Sequence, residues 1–127
     1  HIAQDYYNGI NYAFLLTTKA TLQTDYLEAI SYFMQSQRIR EDIVTICTEL
    51  IRKKTFKERG DQEWIYQSLA QAYLGLNEKV KLELIIDKVN KMSKGSFDID
   101  TFLEQNKKLI DNIKLITDKK TTNDNGI

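Results

Sequence analysis

Two stretches of this chain share one pattern and restrict what it can fold into. The first is Tyr6, Tyr7, Asn8, Gly9, Ile10, Asn11, Tyr12, Ala13, Phe14, Leu15 and Leu16. The second is Trp64, Ile65, Tyr66, Gln67, Ser68, Leu69, Ala70, Gln71, Ala72, Tyr73 and Leu74. Each sets a small residue and large aromatics on one face at a helical period, and each precedes a further amphipathic segment. Stacked helix-turn-helix units have this form, because no unit buries its apolar face alone and the next unit covers it. The chain also has no proline and only five glycines in 127 residues. A β-sandwich or barrel of that length needs many turns, which draw on both residue types. Long helices need few, so the chain is expected to be all-α.

The spacing predicts a first helix over 8–19, capped by Asn8, with Ile10, Ala13, Phe14 and Thr17 at i, i+3, i+4 and i+7. Gly9 in its first turn would admit a neighbouring helix closely. A polar loop over 18–24 leads to Thr24 or Asp25 as the cap of a long helical stretch over 26–54. A helix of roughly 30 residues is long for a small domain, so a break near 35–38 is expected. Its second part carries Ile39, Ile43, Ile46, Cys47, Leu50 and Ile51 at clean helical spacing. After a charged connector over 53–60, Asp61 caps a helix over 62–74 that Gly75 closes at the C′ position. Asn77 or Glu78 starts the next helix, which ends in Ser93, Lys94, Gly95 and Ser96. Asp98 or Asp100 caps a last helix built on Phe102, Leu103, Leu109, Ile110, Ile113 and Ile116. Residues 118–127 lose periodicity and read as a flexible tail. The expectation is one domain over 1–117, an antiparallel helix-turn-helix array of five or six helices. The start at His1 rather than Met reads as a fragment of a larger protein.

Lysine plus arginine equals aspartate plus glutamate at 18 each. The net charge of zero gives no global attraction to nucleic acid or to an anionic membrane. The lone cysteine, Cys47, excludes an internal disulfide and fits a reducing, cytoplasmic compartment. No apolar run approaches the roughly 20 residues of a membrane span, and no signal peptide is visible. Groups for chemistry are scarce. The single histidine is His1, and Cys47 lies in the apolar stripe of Ile43, Ile46 and Leu50, where a thiol is a small core residue. Histidine and cysteine are too few for a metal cluster. The carboxylate pairs Glu41 with Asp42, Asp61 with Glu63 and Asp98 with Asp100 suit the positive ends of helices. No glycine motif cradles a phosphate. No catalytic, cofactor-binding or metal-binding residue is therefore assigned. The basic runs are Arg38 with Arg40, Arg52 to Lys54, and Lys119 with Lys120; of these Arg52 to Lys54 sits at a helix C-terminus and reads as a solvated helix end. The alternative is a helical nucleic-acid-binding module in which Arg38, Arg40, Arg52, Lys53 and Lys54 contact phosphates while aromatics stack on bases.

Aligned to the tetratricopeptide pattern, Tyr66, Leu69, Ala70 and Tyr73 fall on the aromatic, leucine, small and tyrosine positions of a first helix. Ile86 and Val89 fall on packing positions of a second. Leu82 stands where alanine is usual and Lys94 where proline is usual. The opening motif from Tyr6 to Ala13, the helix end Leu50, Ile51, Arg52 and Lys53, and Asp61 to Trp64 leading to Ala70, Gln71, Ala72, Tyr73 and Leu74 complete a pattern. It resembles the tetratricopeptide-like TRAFs-binding domain of apoptosis signal-regulating kinases, which also occurs in bacterial proteins. The resemblance covers residues 6–92, with an insertion over 22–38. It implies a non-catalytic regulatory region of a larger signalling protein that binds a protein, a peptide or another domain of its own parent chain. In such repeats the first helix of each pair lines a concave face. Phasing on Ala13 sets Tyr7, Ile10, Asn11 and Phe14 towards it, and phasing on Ala70 sets Trp64, Gln67, Ser68 and Gln71 there. A mixed aromatic and amide surface suits peptide recognition, with tyrosine or tryptophan as anchors. An upstream helix outside this chain would be able to cover the same face.

Overall fold

The computed structural model describes residues 2–92 and 98–125. Among the described residues there are six α-helices, one 3-10 helix and no strand. They are α1 (Ile2–Thr21), α2 (Tyr26–Arg52), α3 (Gln62–Gly75), α4 (Lys79–Met92), α5 (Ile99–Gln105) and α6 (Lys107–Asn125), with the 3-10 helix Lys54–Glu58 between α2 and α3. The all-α expectation holds across these residues.

Several boundaries differ from the sequence reading. Helix α1 begins at Ile2, so Asn8 is an exposed residue within the helix and not its cap. Nothing between Ala3 and Tyr7 interrupts a helix, and the Tyr6 ring is buried at 4% exposure, which anchors that turn. Helix α2 runs unbroken through 35–38. The break was expected from the length of the stretch alone, but polar residues in and beside it are packed inside and carry the helix through: Ser36 and Arg40 are both buried. Asp25 is the α2 cap, its carboxylate accepting from the Leu27 N–H at 3.2 Å. The final helix is two helices. Asn106 ends α5 by donating from its side-chain amide to the Phe102 carbonyl at 2.9 Å, and α6 starts at the next residue. Asp98 caps α5 through the Thr101 N–H at 2.8 Å. The stretch read as a tail from residue 118 is helical to Asn125. The segment Ser93 to Ser96, expected to end α4, lies outside the described residues.

Helices α1 and α2 pack antiparallel. A Cβ on Gly9 would meet the Ile43 Cδ1 at 2.6 Å, so glycine lets the two backbones approach closely there. At the other end Arg40 reaches Thr17. Helices α3 and α4 form a second pair, and α1 lies beside α3 in parallel, with Tyr6 against Asp61 and Tyr7 against Trp64. The main core gathers Ile10, Ile43, Cys47, Leu50, Ile65, Leu69 and Val89 from α1 to α4. Phe56 of the 3-10 helix closes its lower end, edge-on to Tyr66 with ring centroids 5.5 Å apart. A second cluster of Ala70, Leu82, Ile86 and Phe102 seats α5 on α3 and α4. Helix α6 then folds back over α1, α2 and α3.

Gly75 does not occupy the C′ position. It is the last residue of α3, and Asn77 takes the left-handed conformation at φ 61°. The Glu78 N–H bonds the Tyr73 carbonyl at 2.9 Å and the Asn77 N–H bonds the Leu74 carbonyl at 3.1 Å, which is a Schellman closure. Glycine is needed at 75 for another reason: any Cβ there would run into the Arg40 guanidinium.

Candidate functional site

The second turn of α1 lies beside the first turn of α3, and the aromatics there divide by depth. Tyr6 is buried and donates from its hydroxyl to Asp61 Oδ2 at 2.9 Å. Arg59 grips the same carboxylate with two hydrogen bonds of 2.8 Å, from Nε to Oδ1 and from Nη2 to Oδ2. The Asp61 carboxylate is therefore engaged in joining α1 to α3, and it makes no capping bond at the start of α3. The Arg59 hydrogen bond holds the Asp61 carboxyl below the usual aspartate value. Burial, reinforced by Asp61, pushes the Tyr6 phenol up to about 12. Above this staple Tyr7 and Trp64 meet edge to face, ring centroids 5.9 Å apart at 86°. They are 46% and 56% exposed. Two residues read from separate repeats as one face thus form a single surface feature.

The rest of the expected face behaves differently. Ile10 and Ser68 are buried at 5% and 4% exposure and belong to the core. Gln67 is half-buried beside them. Asn11 is exposed, whereas Phe14 and Gln71 are half-buried. Ile10, Asn11, Phe14 and Gln71 line a cavity of about 210 Å³ together with Arg40, Asn106 and Leu109. The cover over this half of the face is α6, from within the chain. Leu109 and Ile116 of α6 are buried, Asn112 donates to the Thr18 hydroxyl at 3.0 Å, and Lys119 donates to the carbonyls of Thr21 and Gln23 at 3.0 and 2.7 Å. The Lys119 ammonium sits where α1 ends and satisfies carbonyls that the helix leaves open.

Arg40 is the residue that sequence reasoning misplaced. The sequence reading sets it in a basic run with Arg38, available to contact phosphate, yet it is 1% exposed. Its Nη1 donates to Ser36 Oγ at 3.0 Å and to Gln37 Oε1 at 2.8 Å, and its Nη2 donates to Thr17 Oγ1 at 2.9 Å. All three partners are neutral, and Nε has no partner. Burial alone lowers its pKa from 12.5 to about 10, so it remains cationic at neutral pH. The signal for this was present: counting back from Leu50, Cys47 and Ile43 at helical intervals lands on Arg40 and then Ser36.

Cys47 is fully buried, and burial pushes its thiol up to about 12. Among the described residues no three or more histidine, cysteine, aspartate or glutamate side chains gather as a metal site. No helix of the described residues is long and apolar enough to cross a membrane. Searches against known protein families, curated proteins and solved structures return no match for this chain.

Proposed function

We propose that this chain is a non-catalytic, tetratricopeptide-like helical module that makes protein–protein or interdomain contacts within a larger signalling protein. The observation that carries this reading is the exposed Tyr7 and Trp64 pair. Two parallel helices from successive antiparallel pairs each present an aromatic at the same level, and the two rings meet. Rigid aromatics with apolar bodies and polar edges are the residues that most often dominate binding energy at protein interfaces. The family resemblance supports the same reading through the motif residues that contain both rings. The expected occupant is a protein or peptide segment, or another domain of the parent chain.

The single tryptophan is its own reporter. Titrating the remaining domains of the parent protein should shift Trp64 emission to shorter wavelength and shield it from iodide quenching. The Trp64→Ala variant should stay folded, losing about 1 kcal/mol through the edge-to-face contact, and should bind at least tenfold more weakly. A loss of about 3–5 kcal/mol in stability would instead mark Trp64 as a core anchor. Unchanged binding in the variant would remove the pair from the interface.

A further inference from the structure

Helix α1 carries two seams at helical spacing, and the fold buries one of them. Tyr6, Ile10, Ala13, Thr17 and Ala20 follow at spacings of four and three and are all buried. Two residues further on, about 200° around the helix, the same spacing gives Asn8, Tyr12, Leu15, Lys19 and, just past the helix end, Leu22. Tyr12, Leu15 and Leu22 are 55%, 61% and 74% exposed. A surface helix normally turns charged and polar residues to solvent on this side, yet no charged residue stands between Asn8 and Thr18. Exposed apolar side chains elsewhere have a different setting: Leu27 is next to Glu28, and Val80 and Leu84 stand among Lys79, Lys81 and Glu83.

The exposed face extends onto α2. Ile39 borders Gly9, and the Lys19 ammonium lies 4.6 Å from the Tyr32 ring centroid. Tyr32, Ile39 and Ile46 are half-buried along this edge, while Gln37 turns the other way and donates to the Gly75 carbonyl of α3 at 2.8 Å. On the opposite flank Leu115 of α6 is exposed and lines a surface hollow with Leu22.

From this we infer that the outer face of α1 is the contact between two copies of this chain, packed antiparallel across a two-fold axis near Tyr12 and Leu15. Charge selects a second copy as the occupant. Residues near a two-fold axis meet their own kind, so a charge there would face its own sign. The middle of this face, Tyr12, Leu15, Gln35 and Ile39, has no charge. Opposite charges stand at its two ends: Lys19 beside Tyr32, and Asp42 one turn beyond Ile39, both exposed. Antiparallel pairing sets Lys19 of each copy over Asp42 of the other, which fixes the register. Spacings of three and four are also the pattern by which helices pair along a seam. The face is about 21 Å long from Asn8 to Leu22 and, across three helices, roughly 20 Å wide. That size suits a reversible dimer of folded chains. The contact lies on a different side of α1 from Tyr7, and its failure would leave the reading of the Tyr7 and Trp64 pair intact.

Sedimentation velocity of the chain from about 5 to about 500 µM covers the affinities expected of such a contact. The weight-average mass should climb from 14.9 kDa towards twice that value. Leu15→Glu should hold it at 14.9 kDa throughout, with an unchanged circular dichroism spectrum because the side chain is exposed. Val80→Glu, the same kind of change at an exposed site on α4, should dimerise like the unaltered chain. Lys19→Glu and Asp42→Lys should each weaken the dimer about tenfold, and the double variant, which restores opposite charges across the axis, should recover it. A mass of 14.9 kDa over the whole range overturns the proposal and leaves the face to a different protein or another domain. A dimer that survives Leu15→Glu overturns it too, and one that Trp64→Ala abolishes instead moves the contact to the aromatic pair. A double variant no tighter than the two single ones overturns the antiparallel arrangement.

Discussion

Arg40 concentrates the energetics of this molecule at one residue. Lowering a guanidinium pKa from 12.5 to about 10 corresponds to a destabilisation of the charged form on the order of 3 kcal/mol, since each unit is worth about 1.4 kcal/mol. Its hydroxyl partners do not depend on it as donors: Ser36 donates to the Phe33 carbonyl and Thr17 to the Ala13 carbonyl. Replacing a buried unpaired charge by an apolar side chain of similar length is often neutral or stabilising. Arg40→Met should therefore change the urea midpoint little or raise it, while Arg40→Ala, which opens a cavity, should cost about 2–4 kcal/mol. A methionine variant as unstable as the alanine one would show that the guanidinium bonds outweigh its desolvation. Asp61 and Tyr6 give the pH counterpart. The Asp61 folded pKa lies below the ordinary 3.8, so its stabilising contribution is complete above that value and is lost as pH falls through the folded one. The Tyr6 folded pKa lies above 10, at about 12, so its contribution is complete below pH 10 and is lost as pH rises towards 12. Asp61→Asn should flatten the acid limb of a stability–pH curve; an unchanged limb would assign acid sensitivity to other carboxylates.

At the scale of elements, the hydrophobic period made the existence of the helices legible in the sequence, while their ends were set by side chains whose partners lie elsewhere. The break expected in α2 came from its length alone, whereas the helix continues with Ser36 and Arg40 packed inside and Thr17 of α1 and Gly75 of α3 around the guanidinium. Asn77 rather than Gly75 closes α3, while glycine at 75 leaves room for the Arg40 side chain. The position of α6 was illegible for a related reason: Asn112 and Thr18 are 94 residues apart, and no local spacing encodes their meeting. Tyr7 and Trp64 were placed on one face by phasing each helix on its small residue, Ala13 and Ala70, and in the structure their rings meet. The α6 contact is testable through Lys119. Lys119→Met keeps most of the stem but removes two charge-assisted bonds to the end of α1, which should lower stability by about 1–2 kcal/mol. Amide exchange should accelerate first in the last turn of α1. Unchanged exchange there would mean that apolar packing at Leu109 and Ile116 alone seats α6.

The charge of the whole molecule bears on the competing reading of this chain as a nucleic-acid binder. Its 18 basic and 18 acidic residues cancel, and the burial of Arg40 removes one of the five cations that reading relied on. Those that remain exposed are separated along α2: Arg38 and Arg52 are 14 residues apart, or about 21 Å at 1.5 Å per residue. Arg52, Lys53 and Lys54 then form a short cluster where α2 ends, a place where cations are favoured by the helix dipole without any partner. Non-specific binding to nucleic acid needs several phosphates neutralised together, and it weakens steeply with salt because each contact releases a counterion. A fluorescein-labelled single-stranded RNA should accordingly show no rise in anisotropy with this protein up to about 100 µM, the weak end of the usual non-specific range, even at low salt. Saturable binding with a steep negative dependence of log K on log salt would return the basic cluster at the end of α2 to a functional role. It would also shift the favoured partner from a protein surface to a phosphate backbone. If that binding then survived Lys53→Ala combined with Lys54→Ala, the contact would have to run through Arg38 or the Lys119 and Lys120 end of α6.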